Sequence, residues 1–224
     1  MRIAATPSGE TLFSTSTWKI IPALLCLASF LLACGQRPPL IRQYVIEYSP
    51  PVTPALPRID ETLEIEEFDV AQAFNTTAMV YRPSPLESAT YHYSSWRVNP
   101  GYMVTDYLAR DFRQAGLFKA VFSRGSTGRG RFVLDGGVEE IQELNEPDGW
   151  KAALGLTVTL LDTDRVETPE MVIFQRKYRT VRPMLAKTPQ GLAEAMSGAM
   201  QQLSQEIIRD VYQAAKARTA AGKK

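Results

Sequence analysis

A cluster of glutamates and a single histidine are the first candidates in this chain for general acid–base chemistry or for holding a metal ion. Four glutamates, Glu61, Glu64, Glu66 and Glu67, lie in one short stretch, and His92 is the only histidine. Catalysis by carboxylates needs a pair that converges on a pocket, and no spacing here indicates one. Alternating glutamates are typical of the solvent face of a half-buried strand. We therefore predict no metal site and no catalytic residue, and interpret His92 as structural or surface-exposed.

Two loops resemble ligand-binding motifs only in part. Residues 123–131 are rich in glycine but lack the Gly-Lys-Ser/Thr ending of a phosphate-binding loop, so we interpret them as a hairpin tip. Asp162 and Asp164 have the local spacing of a calcium loop without its remaining ligands, which favours a turn. The chain also lacks a Ser-His-Asp order, a zinc motif and a dinucleotide fingerprint. We predict no enzyme; the alternative, a site assembled from scattered residues, requires His92 to meet Asp or Glu in a pocket.

One cysteine is placed for covalent modification. Residues 1–33 contain an apolar run from Ile20 to Ala33 and end in Leu31-Leu32-Ala33, directly before Cys34. This is the pattern of a lipoprotein signal peptide, in which the thiol is acylated, with palmitate for example, and cleavage leaves Cys34 as the first residue. The alternative is a plain signal peptide or membrane anchor with a chance cysteine. We predict removal of residues 1–33, lipidation at Cys34 and no other cofactor, with residues 34–42 as a tether.

The leader and the charge balance together restrict the location and the partners. Two or three buried acyl chains would hold the protein on a membrane permanently. Gly35 stands where an inner-membrane retention signal typically has aspartate, which favours the outer membrane with the domain facing the periplasm. The other cysteine, Cys26, lies in the leader, so the mature chain forms no internal disulfide. With 25 Lys+Arg against 24 Asp+Glu, the chain lacks the basic surface of a nucleic-acid binder.

A capped helix and a hairpin organise the middle of the chain. Asn99 and Pro100 are typical of a helix start, and Gly116 is typical of a left-handed helix end. Before this helix, Ala78–Arg82 and Ala89–Tyr93 are predicted strands on either side of a proline-rich turn. The hairpin and the residues after it carry aromatic rings, Tyr81, Tyr91, Tyr93 and Trp96. Rings at alternate positions are usually core residues; the alternative is a surface that binds a partner or lipid.

The remaining elements predict an α+β fold. Strands are expected at 44–48, 62–66 and 117–122, and a meander at 132–144, 150–161 and 171–180. Residues 49–57 are a proline-rich extended connector, and a second helix is expected at 190–217. We therefore predict a mainly antiparallel sheet of about six or seven strands with two helices on one face. These elements form a single domain over residues 43–218, followed by a disordered tail at 219–224.

The stretch from Met79 to Phe122 reads MVYRPSPLESATYHYSSWRVNPGYMVTDYLARDFRQAGLFKAVF. Together with the leader, it resembles the auxiliary lipoproteins of ABC-type transport systems, the periplasmic partners of Mce (mammalian cell entry) type lipid transporters in Gram-negative bacteria. The resemblance extends over roughly residues 43–212.

This resemblance implies a non-catalytic subunit that supports envelope integrity. Its partners would be an inner-membrane ABC or related permease and a Mce-domain protein that spans the periplasm, with phospholipid as a possible ligand. A homo-oligomer is compatible with the repeated docking surfaces of such a conduit. The alternative is a structural or assembly lipoprotein of the outer membrane that does not handle lipid.

Overall fold

The computed structural model describes residues 40–123 and 125–221. The predicted leader, Cys34 and all but the last residues of the tether lie outside this range. The described residues from Ile41 onward belong to one compact unit. Within the described ranges, every helix is too short or too polar to cross a membrane.

Nine strands and three α-helices make up the described part of the chain. The strands are β1 (Arg42–Tyr44), β2 (Ile59–Ile65), β3 (Asp69–Val70), β4 (Ala78–Arg82), β5 (Ala89–Trp96), β6 (Phe118–Ser123), β7 (Phe132–Glu146), β8 (Gly149–Asp162) and β9 (Val172–Pro183). The helices are α1 (Pro100–Ala115), α2 (Thr168–Met171) and α3 (Pro189–Ala221), and a 3-10 turn covers Gln72–Phe74. The prediction of an α+β fold is confirmed.

The ends of α1 follow from its capping residues. Oδ1 of Asn99 accepts a hydrogen bond of 2.9 Å from the amide of Gly101, and Pro100 occupies the first helical position. At the other end Gly116 adopts a left-handed conformation with φ of 63°, which a side chain would disfavour. The predicted bounds of this helix are confirmed.

The sheet is mixed, so the prediction of a mainly antiparallel sheet was wrong. The predicted hairpin β4–β5 and the meander β7–β8–β9 are antiparallel, as expected. However, β7 pairs in parallel with β2, β3 and β4 in turn along one edge, and β6 pairs in parallel with β2. Parallel neighbours need a crossover, and α1 lies in the connection between β2 and β6. Sequence patterns reveal strands, but they do not reveal which distant strand becomes the neighbour.

The two long helices cover the core face of the sheet. Helix α1 packs against β6 and β7, α3 packs against β8 and β9, and the two helices contact each other. The largest buried side chains include Trp96, Phe68, Phe112 and Phe132. Trp96 and Phe132 come from the sheet, Phe112 comes from α1, and Phe68 lies in the connection between β2 and β3. Burial of their aromatic surface therefore joins the two layers.

Over its described residues the structure has nine strands and not the predicted six or seven, three α-helices and not two, and several bounds that differ from the prediction. The first strand is Arg42–Tyr44 and not 44–48; beyond it Ile46 and Tyr48 are buried, and the amide of Glu47 donates a hydrogen bond to Ser197 of α3 and not to a neighbouring strand. Helix α3 continues to Ala221, so the first residues of the predicted tail are helical. The short helix α2 was not predicted at all, because four residues carry too little periodicity to be recognised.

Candidate docking surface

The clustered glutamates hold a loop in place. Glu64 accepts a hydrogen bond of 2.9 Å from the amide of Gly130, and Glu61 forms an ion pair of 2.7 Å with Arg131. These contacts fasten the connection between β6 and β7 to the side of β2. His92 is exposed, and its ring lies 6.4 Å from that of Tyr93, which counts against a site assembled around this histidine. In the ranges that the structure describes, no group of three His, Cys, Asp or Glu side chains could hold a metal ion.

Asp162, which we expected in an ordinary turn, is a fully buried carboxylate at the end of β8. It accepts hydrogen bonds of 3.0 Å from Nε of Arg131 and from Nε of Arg218. Burial by itself would raise the pKa of Asp162, but the bonds from the two guanidinium groups outweigh it and lower that pKa. The ion pairs therefore attach the last turns of α3 to the sheet, and the carboxylate of Asp162 has a structural role.

A second buried carboxylate, Asp111, joins the two long helices. Its Oδ2 accepts hydrogen bonds of 2.6 Å from the hydroxyls of Tyr48 and Ser204, and Arg110 contacts Oδ1 at 2.9 Å. Burial first, and then the Asp111 hydrogen bond, raise the pKa of Tyr48. The guanidinium group of Arg110 also lies over the rings of Tyr48 and Tyr107. This network connects α1, α3 and the segment after β1, and it leaves no free acid for chemistry.

The aromatic residues of the β4–β5 hairpin separate into two environments. Tyr81 and Tyr91 lie side by side with ring centroids 5.0 Å apart, and both are half-buried. Tyr93 is 58% exposed. Trp96 is only 1% exposed and belongs to the core, so its assignment to an exposed binding surface was wrong. A shift in register between β4 and β5 puts Trp96 on the buried face, and the period of two in the sequence does not reveal such a shift.

Glu143 is adjacent to Tyr81 and Tyr91 and was not singled out in the sequence. It is completely buried on β7, in register with Tyr81 of β4, and its Oε2 accepts a hydrogen bond of 2.6 Å from the hydroxyl of Tyr91. Its Oε1 is buried without a hydrogen-bond partner in the described part of the chain. Burial raises the pKa of Glu143, against the opposing effects of Tyr91 and Lys187. The position of Glu143 within a run of alternating residues gave no signal of its burial.

An apolar groove lies between α3 and the proline-rich connector after β1. Its volume is about 530 Å³, and its apolar lining includes Val52, Pro54, Leu56, Leu117 and Ile208. The connector was predicted as an extended segment, and the structure confirms that it is neither helix nor strand. The groove itself depends on a contact between segments far apart in the chain, so no local pattern indicates it.

Solved structures share this fold. Protein XCC0632 from Xanthomonas campestris, described as a DUF330 protein, is 20% identical; the match covers 79% of this chain and 98% of that chain, with a TM-score of 0.71. An uncharacterised protein is 13% identical over 77% of this chain and 99% of its own, with a TM-score of 0.60. At these identities the likeness shows the fold alone.

Sequence comparison identifies the family. No curated protein matches the chain. The family model for the ABC-type transport auxiliary lipoprotein component matches residues 44–208, which include every strand from β2 to β9 and most of α3. The matched region contains the capped helix and the aromatic hairpin, the two elements on which the sequence resemblance rested. This chain belongs to the family of ABC-type transport auxiliary lipoprotein components.

Proposed function

We propose that this protein is a lipid-anchored, non-catalytic subunit of a Mce-type lipid transport system, attached through Cys34 to the outer membrane and facing the periplasm. The observation that carries the proposal is the family membership of residues 44–208 behind a lipoprotein signal pattern that ends at Cys34. The chain would supply docking and support envelope integrity, and another subunit would use ATP. Its partners would be the Mce-domain protein and the permease of the same system.

Two of the three buried carboxylates in the described chain are fully engaged in structural contacts, which supports a non-catalytic role. Asp162 and Asp111 are each surrounded by cationic or hydroxyl partners, an arrangement that stabilises the contacts between helices and sheet. Catalytic carboxylates, by contrast, lie in pockets where a substrate can reach them. The groove beside α3 is lined mainly by apolar and amide side chains, with Glu206 and Arg209 as its charged residues, and such a lining suits binding.

The exposed part of the aromatic hairpin is our candidate for partner contact. Tyr93 is exposed, and Tyr81 and Tyr91 are partly accessible beside it. Tyrosine is enriched at protein interfaces because it combines a large apolar surface with a polar hydroxyl. These three residues therefore remain the proposed binding surface after Trp96 is removed from it.

The lipid anchor is tested by replacing Cys34 with alanine and fractionating the cell envelope. The variant is expected in the soluble periplasmic fraction or as an uncleaved precursor in the inner membrane. A Cys26→Ala variant is the matched control, since this cysteine lies within the leader, and its fractionation is expected to stay unchanged. Outer-membrane fractionation of Cys34→Ala that equals the parent would refute lipidation at this residue.

The transport role is tested by mild crosslinking of native membranes, followed by mass spectrometry of the proteins and lipids that co-purify with the tagged chain. Recovery of a Mce-domain protein with phospholipid above background is expected. Recovery of outer-membrane assembly components alone would refute the transport role. Tyr93→Ala is expected to reduce recovery of the partner, whereas Val166→Ala, which changes another exposed residue, is the matched control.

A further inference from the structure

Three loops meet at one end of the sheet. The hairpin tip at 83–88 follows Arg82, which is in register with Leu144 near the end of β7. The turn at 147–148 joins β7 to β8 at the same level. The loop at 184–188 follows β9, whose last residue, Pro183, pairs with Lys151 at the start of β8. We call these three segments the loop end of the domain.

The loop end exposes large apolar side chains. Leu86 in the hairpin tip is 98% exposed and Leu185 in the loop before α3 is 97% exposed. Trp150, beside the turn, is partly exposed, and Nζ of Lys187 lies 5.5 Å from its ring centroid. A backbone hydrogen bond of 2.8 Å from the amide of Met184 to the carbonyl of Trp150 attaches the loop at 184–188 to the start of β8. Each leucine would lose unfavourable contact with water if an apolar phase covered it.

The chain enters the fold from the direction of the loop end. Strand β1 runs parallel to β5 with Arg42 in register with Ser94, and β5 runs away from the hairpin tip. Ser94, the partner of Arg42, lies five residues along β5 from Ala89, the first residue after the hairpin tip. This separation corresponds to about 17 Å. Between Cys34 and Arg42 an extended chain spans up to about 26–29 Å. The tether is therefore long enough to place Cys34 level with the exposed leucines or beyond them.

We propose that the loop end rests on the phospholipid bilayer that holds the lipid of Cys34, with Leu86 and Leu185 entering the interface. Trp150 would lie at the headgroup level, where tryptophan is enriched in membrane proteins. This inference rests on the proposed lipid anchor, and adds which surface of the domain the membrane covers. The tether already confines the domain near the bilayer. Insertion of the exposed leucines into the bilayer therefore costs little further entropy.

Charge at the loop end indicates apolar insertion and not attraction to anionic lipid. Lys151 is neutralised by contacts of 2.6 Å with Glu146 and 2.8 Å with Asp148. The cation Lys187 and the anion Glu87 also lie in these loops. These groups are two cations and three anions, so they carry no excess of positive charge, and contact with the bilayer is expected to depend weakly on salt.

The orientation also fixes which end points into the periplasm. Helix α3 begins at the loop end and runs to the opposite end of the sheet, where Arg218 contacts Asp162. The connection between β8 and β9 lies at this opposite end, and it carries Val166, which is 96% exposed. Val166 is therefore a control that matches the two leucines in exposure but lies on the side that faces away from the bilayer.

The test is site-specific photocrosslinking in the native envelope. A photoreactive phenylalanine analogue replaces Leu86, Leu185 or Val166 in the full chain, one position at a time, and adducts are identified by mass spectrometry after irradiation. Phospholipid adducts are expected at 86 and 185, in roughly tenfold excess over position 166, because burial of one leucine side chain corresponds to about a tenfold preference for the bilayer. Fractionation of each variant reports separately whether the anchor is intact.

Three outcomes would overturn the inference. Equal phospholipid yields at 86, 185 and 166 would show that the loop end has no preferred contact with the membrane. Protein adducts at 86 and 185 without phospholipid would assign these leucines to a docking partner instead. Absence of adducts at both positions in a chain that still fractionates with the outer membrane would reject the orientation while leaving the lipid anchor standing.

Discussion

The hydroxyl of Tyr91 donates a hydrogen bond of 2.6 Å to Oε2 of Glu143, and that carboxylate is completely buried between β4 and β8. Burial raises the pKa of Glu143 because it penalises the charged form, and the Tyr91 hydroxyl and Lys187 offset this only in part. The pair connects the aromatic hairpin to the central strand of the sheet, so the protonation of Glu143 affects the element that carries the proposed binding surface.

The first prediction concerns the pH dependence of stability in Glu143→Gln. The pKa of Glu143 is raised in the folded state from its ordinary value of 4.5. The stability that protonated Glu143 contributes is therefore fully present below pH 4.5, and it is lost as the pH rises through the pKa of the folded state. Glutamine is neutral throughout. The free energy of unfolding of the variant, relative to the parent, is therefore expected to increase from acid to neutral pH in denaturant titrations.

A matched control for this prediction is Glu139→Gln, an exposed position on the same strand. This substitution is expected to leave the pH dependence of unfolding as it is in the parent. A constant difference between Glu143→Gln and the parent across the pH range would show that the buried carboxylate does not titrate with folding.

The second prediction concerns Asp162→Asn, which removes the charge shared by Arg131 and Arg218. Asp162 is fully buried, but Arg131 keeps its contacts with Glu61 and Asp164 and the side chain of Arg218 is 29% exposed. The free energy of unfolding is therefore expected to fall by about 1–3 kcal/mol, the cost of breaking buried hydrogen bonds to a charged group. Because the pKa of Asp162 is lowered in the folded state, this contribution in the parent is present at neutral pH and lost as the pH falls through the folded pKa. Urea denaturation at neutral pH measures the change.

Asp164→Asn is the companion variant for Asp162. Asp164 also contacts Nε of Arg131, at 2.9 Å, but its side chain is mostly exposed, and such surface pairs contribute about 0–1 kcal/mol. Equal losses in the two variants would show that burial of Asp162 does not determine the strength of the attachment of α3.

The third prediction concerns the end of α1. A Cβ at Gly116 would meet no atom within 4 Å, so Gly116→Ala changes only the backbone preference at a φ of +63°. Left-handed backbone costs a residue with a side chain about 1–2 kcal/mol, and the free energy of unfolding is expected to fall by that amount. Gly116→Asn should lose less, since asparagine tolerates this conformation; a loss as large as that of alanine would contradict the conformational explanation.

The fourth prediction separates core from surface within the aromatic hairpin. Trp96→Ala removes a buried ring and is expected to lower the free energy of unfolding by about 3–5 kcal/mol. Tyr93→Ala truncates an exposed ring and is expected to change it by less than about 0.5 kcal/mol. Denaturant titration of both variants measures the difference. Marked destabilisation by Tyr93→Ala would place that ring in the core and remove it from the proposed binding surface.

The sequence was sufficient to predict those helices and strands whose signals lie within a few neighbouring residues. Asn99, Pro100 and Gly116 determined the ends of α1, because capping and left-handed backbone depend only on neighbouring atoms. Turn residues likewise determined the β4–β5 hairpin and the β7–β8–β9 meander, since antiparallel neighbours follow one another in the chain. The family resemblance over the middle of the chain was also recognisable from sequence, and the family model confirms it.

Only the tertiary structure decided the features that join distant segments. Parallel pairing of β7 with β2, β3 and β4 depends on crossovers that no local pattern specifies. The burial of Glu143, Asp162 and Trp96 likewise depends on which elements cover them. The sequence alone determined the capped helix, the hairpin and the family, while the mixed sheet, the buried ion pairs and the common position of Leu86 and Leu185 at one end required the folded chain. The physical reason is that hydrogen bonds within a turn are local, whereas burial and strand register are properties of the whole packed domain.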